Sequence, residues 1–303
     1  MQPKFNFIKH PSRLFLGIVK KTQSLYSDSV YLRLYYYFKM GKVLHLNHPR
    51  TFNEKLQWLK LYNRQPEYTM MVDKYAVKDY VSNIIGKEHI IPTIAVWEKP
   101  EDINWDTLPP QFVLKTTQGG GSLGVIICKD KESFDKDKAI KKLTTSMKSD
   151  LYREFREWPY KNVRKRIIAE PFMTDGGKDL KDYKIHNFNG LPKFILLCRD
   201  RYAESGLTED FYSTDWTHLE MKRPNLKNPG GHDCPKELKE MLSYAKQLSQ
   251  NIPFVRTDFY IINGKVYFGE LTFFPAGGMS KFEPEKYDEI LGSWLTLPQQ
   301  KKT

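Results

Sequence analysis

The chain has 303 residues, enough for a sizeable core and two or three subdomains. Hydrophobic residues make up 40% and aromatics 14%, which excludes a disordered protein. Lys and Arg number 48 against 36 Asp and Glu, so the chain carries +12 and suits acidic partners: nucleotide, nucleic acid, anionic lipid or acidic glycan. A solvated basic surface with no partner is the plain alternative. Cys128, Cys198 and Cys234 are far apart and odd in number, so no disulfide framework is readable and a reducing cytosol fits. His232-Asp233-Cys234 lacks a second ligand pair at zinc spacing. No apolar run approaches the roughly 20 residues that cross a bilayer, and Leu14–Val19 is too short for a signal peptide. The expectation is a cytoplasmic protein, at most peripheral at the inner face of the membrane.

In chain order, residues 1–48 form a basic, aromatic extension of one or two short helices, with Arg13, Lys20, Lys21, Arg33 and Lys39 among Phe15, Tyr31, Tyr35, Tyr36, Tyr37 and Phe38. Such a helix packs its aromatic face on a domain or lies on an anionic membrane. No nucleic-acid module accompanies the tyrosines. Residues 49–110 read as an N-terminal subdomain. Thr51-Phe52-Asn53-Glu54 is a capping box that opens a helix, Tyr68 to Ile85 reads as another, and Ile90 to Trp97 as a short strand. Residues 111–170 begin with the strand Phe112–Lys115 and the loop Thr116–Ser122, which holds Gly119, Gly120 and Gly121. A second strand, Leu123 to Cys128, follows. Glycine amides approach phosphates closely because no Cβ intervenes, although a triple glycine by itself is usually a flexible turn. Residues 131–165 are basic, helical and largely solvent-facing, and Arg166–Phe172 is a strand that stops at Pro171.

Residues 171–303 continue with a turn at Asp175-Gly176-Gly177 and then the alternating run Asp182-Tyr183-Lys184-Ile185-His186-Asn187-Phe188, the pattern of a half-buried strand. Asn189-Gly190 turns it onto Phe194–Arg199. Residues 200–235 read as a long loop, and Lys236 to Leu248 as an amphipathic helix. The run from Val255 to Pro275 contains two β-rich segments around Asn263-Gly264, a hairpin signal. Each segment carries one carboxylate, Asp258 and Glu270, among residues suited to burial, and such carboxylates need a cation or hydrogen bonds. A two-residue loop would put the two on opposite faces, because side chains alternate. A three-residue loop with Gly264 in a bulge would join Arg256, Asp258 and Glu270 with Tyr260, Val266 and Phe268 on one face. A shared divalent metal therefore predicts an odd loop. Ala276-Gly277-Gly278 and a last short helix complete an α+β pattern without a regular βαβ repeat.

Thr51–Trp58, Val72-Asp73-Lys74, Asp182-Tyr183-Lys184 and Tyr267-Phe268-Gly269-Glu270-Leu271-Thr272-Phe273 together resemble the teichuronopeptide-biosynthesis (TupA-like) branch of the ATP-grasp superfamily, over roughly residues 45–295. The resemblance implies a nucleotide between two α+β subdomains with antiparallel sheets. It implies that Lys74 and Lys115 contact ATP phosphates under a lid of Gly119, Gly120 and Gly121. Glu170 falls on the hinge strand, with Phe172 at the adenine, and Lys184 and Asp182 are directed at phosphate or ribose. Asp258 and Glu270 match Mg2+ carboxylates, and Arg256 would face the transferred phosphoryl group. Thr272 stands where many ATP-grasp enzymes have a metal-binding Asn. The implied activity is an ATP-dependent ligase that joins a carboxylate to an amine through an acyl phosphate. The implied acceptor is a uronic acid of a capsular or surface polysaccharide, and the donor an amino acid or amino sugar. A kinase-like phosphotransferase and a glycosyltransferase of surface-glycan assembly are the rival chemistries, and a non-enzymatic polyanion- or membrane-binding protein is the third reading.

Overall fold

The structure is a computed structural model that describes residues 11–120, 123–176, 180–200 and 206–299. The N-terminal helices are α1 (Pro11–Lys21) and α2 (Asp28–Met40). Ser27 caps α2 by accepting the Val30 N–H, and Gly41 ends it at φ 74°. The aromatic face of α2 is packed inward: Tyr31, Leu32, Tyr35 and Tyr36 are buried. Tyr31 Oη donates to the Glu154 carbonyl at 2.8 Å, and the Arg156 guanidinium lies over the Tyr31 ring. α1 leaves Leu14, Phe15 and Ile18 exposed.

The capping box is present at α3 (Phe52–Tyr62): Thr51 Oγ1 accepts the Glu54 N–H, and the Glu54 carboxylate accepts the Thr51 N–H. The single helix expected from Tyr68 to Ile85 is instead α4 (Glu67–Val72) and α5 (Val77–Ile85). The reason is Asp73. Its carboxylate accepts the N–H groups of Tyr75 and Ala76 and pairs with Arg166, which gives the backbone an alternative to the helix. The expected strand over 90–97 shrinks to β1 (Ala95–Trp97), since Pro92 has no N–H to donate.

β2 (Phe112–Thr116), β3 (Val125–Cys128) and β4 (Ile167–Pro171) join β1 in an antiparallel sheet of order β1-β4-β2-β3. Its core packs Phe112, Leu114, Ile167 and Ala169 against Leu143 of α6 (Lys136–Met147). The basic stretch 131–165 is therefore not uniformly solvent-facing; α6 buries Ala139, Leu143 and Ser146. α7 (Leu151–Phe155) follows it.

The second sheet is built from β5 (Asp182–Phe188), β6 (Leu191–Arg199), β7 (Thr208–Ser213), β8 (Phe254–Ile262) and β9 (Lys265–Thr272), in the order β7-β6-β5-β8-β9 and antiparallel throughout. β7 lies inside the stretch expected to be loop. Its Glu209 and Asp210 are poor strand formers, and their burial is compensated by Arg223 and Arg199. β5 was expected to be half-buried but is buried at every position. α8 (Leu238–Leu248) packs on one face of this sheet. The other face looks into a cavity. α9 (Lys286–Trp294) closes on α3 so tightly that a Cβ on Gly292 would sit 2.1 Å from the Arg50 carbonyl oxygen.

The β8–β9 hairpin corrects the expected loop. Ile262 pairs with Lys265, so the turn has two residues, Asn263 at φ 51° and Gly264 at φ 73°. The irregularity lies further along: Phe259 pairs with Phe268 but Asp258 pairs with Glu270, which makes Gly269 the extra residue of a bulge. A Cβ on Gly269 would stand 3.1 Å from both the Asp258 carbonyl oxygen and the Tyr260 ring. The bulge flips the face of β9, so Asp258 meets Glu270 and Arg256 meets Thr272. Tyr260 stays on that face. Val266 and Phe268, expected beside it, pair with Ile261 and Phe259 on the other.

Candidate active site

A cavity of about 510 Å3 opens between the two sheets, with Lys74, Lys115, Lys184, Arg256, Asp258 and Glu270 on its walls. The second sheet supplies a dense ionic cluster. Arg256 donates through Nε to Asp258 Oδ1 and through Nη2 to Asp258 Oδ2, each at 2.6 Å. Its Nη2 also reaches Glu270 Oε1 at 2.9 Å and Thr272 Oγ1 at 3.0 Å. Lys184 Nζ donates to Asp258 Oδ2 at 2.5 Å, and Asp182 lies 3.6 Å from the same ammonium. Burial alone would push the Glu270 carboxyl up, but Lys74, Arg256 and Lys184 hold it down at about 2. Burial likewise opposes the charges on Arg256 and Lys184, and Asp258 outweighs it, so both are held above their ordinary values.

Opposite this cluster, ammonium groups come from β2 and from the segment that leads into α5. The break at Asp73 turns Lys74 towards the glycine loop, where its Nζ donates to the Gly119 carbonyl at 2.5 Å and stands 3.6 Å from Glu270 Oε2. Lys115, on β2, meets Glu170 at 2.5 Å, and Lys78 meets the other Glu170 oxygen at 2.6 Å. Burial pushes the Glu170 carboxyl up and the two ammoniums more than offset it, so it is held below its ordinary value. The Glu170 side chain thus orients two lysines. Gly120 lines the cavity. Gly121 and Gly177, named in the expected lid and turn, lie outside the described residues. Phe172 borders an adjoining cavity of about 760 Å3 with Met173, Leu180 and Tyr260, which shares Lys115, Glu170 and Asp182 with the first. The second cavity mixes apolar and aromatic side chains with Lys129, Lys138 and Lys142.

The donor set on β8 and β9 is all oxygen. Both Asp258 oxygens are engaged by Arg256 and Lys184, whereas the Glu270 side chain is 32% exposed and its Oε2 has, among the described residues, only the 3.6 Å contact with Lys74. Among the described residues no group of three His, Cys, Asp or Glu side chains is placed to hold a metal. Two carboxylates and a hydroxyl fit a hard divalent cation that completes its shell with phosphate and water, entering at Glu270.

The sequence reading missed several cavity residues. His186 lies on the Asp182–Lys184 face of β5, as the period of two shows, and burial with Arg256 nearby holds its imidazole well below its ordinary pKa, hence neutral. Lys78 lies in the first turn of α5, four residues after Lys74. Glu209 and Arg223, paired on the cavity wall, come from the stretch read as loop. Glu157 and Tyr160 also face the cavity and carried no sequence signal.

An antiparallel sheet with a glycine-looped hairpin, set across a cleft from a second antiparallel sheet that carries paired carboxylates and basic side chains, defines the ATP-grasp class. The chain belongs to the TupA-like ATP-grasp family, whose model matches residues 54–296. It is also similar to the D-alanine–D-alanine ligase of Sulfurimonas denitrificans, 23% identical over 190 residues that cover 61% of this chain and 46% of that protein. The chain therefore spans about half the length of the curated relative it matches. Similar solved structures include the D-alanine–D-alanine ligase of Helicobacter pylori, with 17% identity, TM-score 0.45 and coverage of 81% of this chain and 69% of that one. The Bacillus anthracis enzyme complexed with ATP shows 19% identity, TM-score 0.38 and coverage of 67% and 55%. These scores are too low to carry residue equivalences. Among the described residues no helix is long and apolar enough to cross a membrane.

Proposed function

We propose that the protein is an ATP- and Mg2+-dependent carboxylate–amine ligase. The observation that carries this is the ionic pairing of Asp258 and Glu270 with Arg256, Lys184 and Lys74 across one cavity from Lys115 and the glycine loop. In the proposed reaction an acceptor carboxylate attacks the γ-phosphorus of ATP, giving an acyl phosphate and ADP. The amine nitrogen then attacks the acyl carbon, the C–N bond forms and the C–O bond to phosphate breaks. Lys74 and Lys115 act as point charges for phosphate oxygens, and the amides of Gly119 and Gly120 add hydrogen bonds. Phe172 and its strand border the base, with Asp182 at its rim. Arg256 and Lys184 neutralise charge on the transferred phosphoryl group. Asp258, Glu270 and Thr272 would hold Mg2+, which when bound supplies Lewis-acid stabilisation of phosphate oxygens. The acceptor proposed is a uronic acid of a capsular or surface polysaccharide and the donor an amino acid or amino sugar. The family match and the +12 charge support this choice.

The test is ADP release with pooled uronic-acid saccharides and amino acids, followed by the mass of the product. ADP that requires both carboxylate and amine supports the ligase. A phosphorylated product that accumulates without amine makes the protein a kinase, and UDP or GDP released from a sugar nucleotide makes it a transferase. Asp258→Asn and Glu270→Gln are each expected to lower Mg2+-ATP turnover at least about a hundredfold with an unchanged circular dichroism spectrum; full activity in either removes the metal assignment. The proposal extends to peripheral contact with an anionic membrane through Leu14, Phe15 and Ile18 of α1, which are exposed near Lys21. Phe15→Glu/Ile18→Glu is expected to abolish co-sedimentation with phosphatidylglycerol vesicles; equal sedimentation of the variant refutes that contact.

A further inference from the structure

Glu157 has no task in the scheme above. It follows α7, where Arg156 leaves the helix at φ 55°, and it precedes the 3-10 turn Trp158–Tyr160. The residue is 6% exposed and its side chain lines the cavity. Among the described residues, no group hydrogen-bonds or ion-pairs with its carboxylate. The charged and titratable groups around it are Lys60 from α3, Glu154 from α7 and Tyr160 from the following turn. Lys60 is the cation that offsets the Glu157 charge, yet its three protons are already taken. It donates to Gln57 Oε1 at 3.0 Å, the Phe155 carbonyl at 2.8 Å and the Gly277 carbonyl at 2.6 Å. Lys60 thus gives Glu157 a favourable field and no hydrogen bond. A buried carboxylate in that state is costly until a donor reaches it, and the cavity is where one can enter. Tyr160 is within electrostatic reach of Glu157 and also of Glu270, Arg256 and Asp258. Glu157 therefore lines the same cavity as the cluster assigned to the phosphoryl group.

We infer that Glu157 receives the amine substrate as its ammonium ion and takes the proton that frees the nitrogen lone pair. This rests on the ligase reading. An alkylammonium and the Glu157 carboxylate become a neutral amine and the Glu157 carboxylic acid. The lone pair then forms the C–N bond, the C–O bond of the acyl phosphate breaks with its electrons going to phosphate, and the second proton lost by nitrogen leaves on that phosphate. Burial, which outweighs Lys60, pushes the Glu157 carboxyl up to about 7, a value suited to this exchange. The same field from Lys60 keeps part of the population ionised and ready for a cation.

Hydroxylamine separates the roles, because near neutral pH it is uncharged and attacks an acyl phosphate without losing a proton first. With Mg2+-ATP and uronic-acid saccharides, Glu157→Gln is expected to form hydroxamate within about twofold of wild type but to lose amide formation with amino acids about a hundredfold. The loss shrinks as pH rises and free amine accumulates, and Glu157→Asp recovers part of the rate. Equal losses of hydroxamate and amide, or an unchanged amide rate, overturn the inference. Wild type that forms neither product counts against the ligase reading itself. In that case methylammonium, compared with sodium at equal ionic strength, reads Glu157 without catalysis. It is expected to raise the melting temperature of wild type and not of Glu157→Gln, and an equal response in both overturns the receptor role.

Discussion

Glu270 and Glu157 share a cavity, and their surroundings drive them apart in acidity. Burial disfavours both anions, but Glu270 has Lys74, Arg256 and Lys184 against it and is held down at about 2, whereas Glu157 is offset by Lys60 less than burial opposes it and is pushed up to about 7. The consequences for stability have opposite signs. The contribution of Glu270 is present above its unfolded value of 4.5 and is lost as pH falls towards 2. Glu157 is most favourable when protonated, below 4.5, and that advantage is lost as pH rises through about 7. Glu157→Gln does not titrate. Relative to wild type it is therefore expected to gain stability as pH rises from acid to neutral, measured by denaturant unfolding across pH. A flat difference would show that folding leaves the Glu157 carboxyl at its unfolded value. Neither carboxylate's environment was legible in composition. Asp258 and Glu270 stood out because they interrupt strands that want burial. Glu157 sits in a charged, helical stretch where a carboxylate is unremarkable, and its isolation depends on Lys60, which is distant in sequence.

The β8–β9 hairpin shows how an element-scale reading can be right in its requirement and wrong in its device. A shared metal requires Asp258 and Glu270 on one face, and the sequence points to Gly264 in the turn for the flip. The turn instead keeps two residues, because Asn263 and Gly264 both accept positive φ, and the flip comes from Gly269 five residues on. An isolated glycine within a strand was the available sign. Gly269→Ala would force its Cβ against the Asp258 carbonyl oxygen, a backbone atom that moves only with the strand. The expected cost is about 1–2 kcal/mol, read from the urea midpoint, with a raised KM for Mg2+-ATP. An unchanged midpoint and KM would mean that the bulge does not set the carboxylate register. β7 and the break at Asp73 were hidden for a related reason: each depends on distant arginines, Arg223 and Arg199 for β7 and Arg166 for Asp73.

At the scale of the whole molecule, the cleft brings together charges that neither sheet would hold alone. Lys74 ties the halves, donating to the Gly119 carbonyl of the loop while facing Glu270 on β9. A nucleotide that replaces these internal pairs with phosphate and metal contacts binds the folded chain and not the unfolded one. Mg2+-ATP at a hundred times its Kd should then stabilise wild type by about 2.7 kcal/mol, seen as a rise in melting temperature that Glu270→Gln lacks. The absence of a rise in wild type would remove the nucleotide from this cleft. The N-terminal helices belong to the same body, since α2 buries Tyr31 and Tyr36 and contacts the backbone at Glu154.

The sequence alone determined most of the element types, the capping box at Thr51 and Glu54, the Asn-Gly turns, the α+β class and the motifs that resemble the family. These follow from periodicity, backbone propensity and short spacings, which act within a few residues. The tertiary structure decided the register at Gly269, the two lysines gathered on Glu170, the burial of β5 on both faces, and the Glu157 carboxylate left without a donor among the described residues while Lys60 is saturated. Each of these is a balance of desolvation against charges brought from distant parts of the chain. That balance exists only once the two sheets face one another.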